Sequence, residues 1–242
     1  EVQPTLRLQA EFKIAGGGAY RDLAFTAAQS HILYSNMVWH LPDLTVTRPE
    51  GRLEAALDAS DRTKDFYFRI GSTLDVRALR LLLEPGQQKG FDLLRFTEPP
   101  VIDAEIRGCW QDPELIGIKG RVALTNFTFR GESASGLQTA FDYTNRFLLI
   151  TNPRLQRGGE QLRANGLGVD FPAQKIYVTN GFSTVPPMVV ARAIGTNIVR
   201  AIEAYRFSQP PTVYVHGTIP MHGEEDADLY FDLKGGPFEW WR

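Results

Sequence analysis

Residues 72–100 read STLDVRALRLLLEPGQQKGFDLLRFTEPP, and residues 183–211 read STVPPMVVARAIGTNIVRAIEAYRFSQPP. The second segment starts 111 residues after the first, and the two align over 29 positions without a gap. Six positions are identical: Ser72/Ser183, Thr73/Thr184, Arg95/Arg206, Phe96/Phe207, Pro99/Pro210 and Pro100/Pro211. Five of these six fall at the two ends, where a helix starts and stops. A fixed period of this length reads as one module of about 110 residues used twice. The expected units are residues 1–113 and 114–242.

Working outward, each copy of the segment is embedded in alternating sequence. In residues 5–14, Leu6, Leu8, Phe12 and Ile14 face one way while Arg7, Gln9, Glu11 and Lys13 face the other, the period of a half-buried strand. The same alternation places Leu53 and Leu57, then Phe66 and Phe68, then Ile102 and Ile106 on apolar faces. In the second copy it selects Ile176 and Val178, and near the end of the chain Leu229, Phe231 and Leu233. Residues 31–40 read as one strand, with a turn at Pro42–Asp43 and another at Pro49–Gly51. The phase slip between Leu124 and Phe127 predicts a bulge near Asn126. Tyr143–Asn145 echoes Tyr34–Asn36, and residues 175–178 echo 65–68, with insertions confined to turns.

The expected fold is therefore mainly β with minor α. Each copy is a curved antiparallel amphipathic sheet plus one broken helix, over about residues 73–95 and 186–206, with the breaks at Pro85–Gly86 and Gly195–Thr196. Such a helix caps either a sheet face or a sheet end.

Composition bounds the partners. At 43% hydrophobic and 22% charged, the chain has the means to bury a core. A net charge of -2 and the lack of any Lys/Arg run argue against a nucleic-acid partner. Cys109 is the only cysteine, which rules out an internal disulfide and a cysteine-built metal cluster. No apolar run reaches the roughly 18 residues of a membrane-spanning helix. The chain opens on Glu1, so a membrane anchor ahead of it is an expectation.

The sequence holds no GxSxG, no HExxH, no P-loop and no GxGxxG between a strand and a helix. Gly16–Gly18 precedes Tyr20 and Arg21, a hairpin turn rather than a phosphate cradle. His216 and His222, followed by Glu224, Glu225, Asp226 and Asp228, have metal-ligand chemistry, but the alternation of these carboxylates with apolar residues is that of a solvated strand face. Asp103 and Glu105 share a strand face with Arg107, which reads as a mixed-charge exposed face rather than an acid pair. Ser72 and Ser183 precede helices, so capping accounts for their repetition. Arg95 and Arg206 fall where helices end, a position that favours cations. No catalytic residue, cofactor or metal is expected, and the chain is expected not to be an enzyme.

The strand beginning at Gly51 (GRLEA), the paired prolines leading into residues 101–108 and 212–217, and the closing ADLYFDLKGGPFEWW give the chain a resemblance to the AsmA-like proteins of diderm bacteria. The resemblance covers about half of the chain. It implies a periplasmic, membrane-anchored protein whose curled sheet forms a groove with an apolar interior, along which phospholipid acyl chains move toward the outer membrane. Envelope proteins are then further partners. The bland alternative is a pair of closed β-sandwich-like units that scaffold a protein or glycan ligand, with a cytoplasmic location. Both readings use the same alternation, because sandwich cores alternate too.

Overall fold

The computed structural model describes residues 6–20, 23–75, 92–221 and 227–240. Residues 76–91, the centre of the first repeated segment, lie outside this set, as do His222, Glu224, Glu225 and Asp226. The chain is mainly antiparallel β-sheet with little helix, as expected. It divides into two compact units, residues 1–88, 99–122 and 142–145 in one, and residues 89–98, 123–141 and 146–242 in the other.

In the first unit, β1 (Leu8–Ile14), β4 (Ala27–Ser35), β5 (Val38–Arg48), β6 (Gly51–Ser60), β7 (Asp65–Ser72) and β9 (Val101–Cys109) pair in that order, followed by the start of β10 (Asp112–Phe129). A small hairpin, β2 (Gly18–Tyr20) with β3 (Leu23–Phe25), leaves the edge. The alternation of apolar and polar residues fixes the register, since a one-residue slip would turn every apolar side chain to the other face.

Residues 31–40 are not one strand. Asn36 and Met37 take φ of 52° and 63°, the two left-handed positions of a tight hairpin turn joining β4 to β5. The flanking apolar residues hide this turn in the sequence. Pro42–Asp43 is not a turn either. It lies inside β5, where the pairing shifts between Leu41 and Leu44. That bulge lets Leu41 and Leu44, three apart, occupy one face.

The second unit carries the rest of β10, then β11 (Glu132–Thr144), β12 (Phe147–Arg157), β13 (Glu160–Arg163), β15 (Lys175–Ser183), β17 (Thr212–Pro220) and β18 (Asp228–Lys234), with β14 (Gly166–Asp170) between β12 and β15. Asn126, near which a bulge was expected, has φ 47°. Beyond it, residues 127–129 pair with β8 (Leu94–Phe96). At the equivalent place, β19 (Phe238–Trp240) pairs with β16 (Tyr205–Phe207).

The second helical segment is broken as expected: α1 (Pro187–Ile194) and α2 (Thr196–Ile202) meet at Gly195, whose φ of 157° favours glycine. Ser183 does not cap α1, whose N-cap is Pro186. The Ser183 hydroxyl instead accepts the Val185 amide at 3.1 Å, and Ser72 accepts the Leu74 amide at 3.1 Å. These are local serine turns, and the one at Ser183 is closed before α1 begins. Arg95 and Arg206 are not helix-terminal. They lie in β8 and β16, opposite Thr128 and Glu239.

Both copies seat the turn after this serine in the same way. Thr73 donates its amide to the Arg52 carbonyl at 2.9 Å, and Thr184 donates to Gln161 at 2.9 Å. Leu74 and Val185 are buried behind these turns, and Pro100 and Pro211 are fully buried at the start of the return strands. The identical residues at the ends of the repeated segment therefore fix backbone entry and exit.

Candidate apolar face

Strand register lines the apolar residues of the first unit into continuous rows. One row runs Ile14–Ala28–Val46–Leu53–Ser72–Ile102 across six strands. A second runs Leu41–Leu57–Phe68–Ile106. A third runs Leu8–Tyr34–Trp39–Ala59–Phe66–Gly108. Phe12 lies between the rows, opposite Ser30. No charged residue interrupts any row, because the alternation that puts these residues on one face sends Arg69, Glu105 and Arg107 to the other.

The residues singled out from sequence thus share this face: Leu8, Phe12, Ile14, Leu53, Leu57, Phe66, Phe68, Ile102 and Ile106. Leu6 precedes β1 and is 70% exposed. Sequence reading passed over Tyr34, Trp39, Leu41 and Val46, which join the same rows. The hidden turn at Asn36–Met37 and the bulge at Pro42–Asp43 break their alternation. The Pro–Asp pair was the available signal.

The second unit has apolar rows of its own. Ile176 lies between Val169 and Ile219, and Val178 between Leu167 and Gly217. Leu229, Phe231 and Leu233 pair with Gly217, Val215 and Val213. The row Leu155–Leu162–Ser183–Val213 repeats, position for position, the row Val46–Leu53–Ser72–Ile102 of the first unit.

These faces are covered only in part. Of the first-unit row residues, Ala28 and Phe66 are buried, while Leu53, Leu57, Phe68, Ile102 and Ile106 are half-buried. A face sealed by an opposing sheet would bury such residues almost completely. Trp110 lies at one end, its ring tilted 34° to Phe66 at 4.1 Å and 57° to Phe68 at 6.0 Å while staying 60% exposed. At about 25 cal/mol per Å² of apolar surface, covering the open part of one such side chain is worth about 1 kcal/mol. A ligand spanning a whole row gains several such increments.

Polar groups are resolved on the opposite face. Lys119 pairs with Glu105 at 3.1 Å, and hydrogen bonds from Lys119 and then Tyr67 hold the Glu105 carboxyl below its ordinary range. With Arg107, Asp142 and Thr144 they line a shallow polar cleft. Asp103 lies opposite Gly71, on the same polar face. His31 Nδ1 contacts Asp43 Oδ2 at 2.6 Å, and His40 Nδ1 contacts Asp58 at 2.5 Å, so each histidine has its own carboxylate. His216 stacks on Tyr230 at 4.8 Å, across the β17–β18 pair. The Cys109 thiol is half-buried and points to the Thr63 carbonyl at 3.7 Å. Among the described residues no group of three metal-ligating side chains converges, and no helix is long and apolar enough to cross a membrane.

Compared with known proteins, the chain matches no family model, no curated protein and no solved structure.

Proposed function

We propose that the chain is a non-catalytic module of the bacterial cell envelope whose apolar sheet rows carry or shield phospholipid acyl chains in outer-membrane biogenesis. The carrying observation is the row Leu41–Leu57–Phe68–Ile106, with Leu57, Phe68 and Ile106 left half-buried. A four-strand apolar row of this kind needs a cover. Acyl chains suit it: they are apolar along their length, need no hydrogen-bond partner, and lie along a row without fixed register. Headgroups would stay outside, since the rows offer no charge to meet them.

The resemblance to AsmA-like proteins supports a periplasmic setting within a membrane-anchored protein. In this reading the ion pairs of the opposite face keep that side solvated, and the chain performs no chemical step. Native mass spectrometry of protein extracted under mild conditions tests the proposal. Phospholipid retained in the complex is expected. A lipid-free mass at full occupancy, from protein purified out of lipid-rich cells, would count against it.

A further inference from the structure

At one end of the first unit's apolar face, two aromatic side chains flank a small one. Trp39 pairs with Ala59, and Ala59 with Phe66, all on the same face. Neither ring closes over the gap. Trp39 lies 4.5 Å from Tyr34 on its far side, and Phe66 lies over Gly108, where a Cβ would fall 2.8 Å from the ring. Half-buried Ala59 is thus the floor of a slot with Trp39 and Phe66 as walls. Asp61, in the turn after β6, stands at the slot's outer end, past the rows. Its carboxylate accepts the Trp39 indole N–H at 3.0 Å and is hydrogen-bonded to the Tyr34 hydroxyl. Both donors are neutral, so the carboxylate keeps its charge beside the aromatic walls.

We propose that this slot binds a quaternary ammonium group, as in a choline head, on a ligand whose apolar part lies along the rows. Neighbouring strands are about 4.8 Å apart, so a group over Ala59 has a wall about 5 Å away on either side, within the roughly 6 Å over which a ring face attracts a cation. A quaternary ammonium suits such a site. It has no hydrogen to donate, it lays methyl groups against the rings, and it brings the charge that the Asp61 carboxylate matches. Leu57, two residues before Ala59 in β6, joins the slot to the row Leu41–Leu57–Phe68–Ile106.

The second unit has the same backbone at this place and lacks the slot. Asp61 donates its amide to the Met37 carbonyl at 2.7 Å, and 110 positions on, Phe171 donates to Arg146 at 3.2 Å. Trp110 donates to Lys64 and Met221 to Gln174, at 2.9 and 2.8 Å. The equivalent row is Leu148–Val169–Ile176–Ile219. Aliphatic side chains stand in place of both walls, a valine fills the floor, and Phe171 replaces the carboxylate. The aromatic walls, the small floor and the acid are therefore not required by the backbone that carries them. The ammonium site stands on these residues, and only the placing of the apolar tail rests on the lipid proposal.

Titration of the full chain with choline, followed by the indole N–H signals of Trp39 and Trp110 in NMR, tests it. A saturable shift of the Trp39 signal at millimolar choline is expected. The neutral isostere of choline, with carbon in place of nitrogen, should bind about tenfold more weakly or worse. Asp61→Asn should weaken choline binding about tenfold. Ala59→Val, the second copy's residue at that position, should abolish it, with circular dichroism showing the fold retained. The absence of a saturable choline shift overturns the proposal. So does equal binding of the neutral isostere, or binding indifferent to Asp61→Asn. Choline binding in a chain that retains no phospholipid would sink the lipid reading and leave the ammonium site standing.

Discussion

Thr184 holds Gln161 by both backbone groups: its hydroxyl oxygen accepts the Gln161 amide at 2.9 Å while its own amide donates to the Gln161 carbonyl at 2.9 Å. Thr73 does the same to Arg52, at 3.1 and 2.9 Å. The two threonines are 111 positions apart, so the period read from the sequence carries a repeated hydrogen-bond device. Replacing either with valine keeps the shape and removes the acceptor. Each change should cost about 1 kcal/mol in denaturant unfolding, and the two costs should add, since the sites lie in different compact units and share no partner.

Gly217 has φ 133°, and a Cβ there would run into the backbone of Asp228 and Leu229. It faces the bulge of β15 between Val178 and Gly181. Gly217→Ala combines backbone strain with a steric push on β18, a loss of about 1–3 kcal/mol. Hydrogen exchange should show it: the amides of β17 and β18 lose protection while those of β5, β6 and β7 keep theirs.

The His31–Asp43 pair has a defined pH window. The Asp43 hydrogen bond, and then its charge, raise the His31 pKa above its ordinary 6.5. The His31 amide, then its ring, hold Asp43 below its ordinary 3.8. A raised histidine pKa gives stability that is full below about 6.5 and fades as pH climbs through the raised value. A lowered carboxyl pKa gives stability that is present above about 3.8 and fades as pH falls through the lowered value. The contact therefore contributes most between the two ordinary values. Asp43→Asn should bring the His31 titration back down, as followed by NMR of the ring protons. An unchanged His31 titration in that variant would show that Asp43 is not the cause.

The apolar face makes a further demand. Phe68→Gln puts an amide in the middle of the row between Leu57 and Ile106. Retained phospholipid should fall about tenfold, because a polar group on an apolar track costs about 1–3 kcal/mol of desolvation. Tyr67→Gln, on the opposite face, should leave it unchanged.

Much of this architecture was legible in the sequence, for a physical reason. A strand with one apolar face must alternate, so residues 53–57, 66–70 and 102–106 declared their faces directly. Register across neighbours was not written in the alternation. It came from turns that looked like something else: Asn36–Met37 hides inside an apolar run, and Pro42–Asp43 is a bulge where a turn was read. Those two features decide that Trp39 and Leu41 lie with Leu57 and Phe66 rather than opposite them. The repeated serine and arginine were misplaced because a helix was assumed to begin and end beside them. Ser183 spends its hydroxyl on Val185 before α1 begins, and Arg206 lies in a strand.

In the proposed function one face, and only that face, meets lipid. A photoreactive amino acid placed at Phe68 and, separately, at Arg69 in cells tests this most directly, since the two positions are adjacent in β7 and point to opposite faces. Phospholipid adducts are expected from position 68 and none from position 69. Equal labelling at both positions, or labelling of protein alone at position 68, would contradict it.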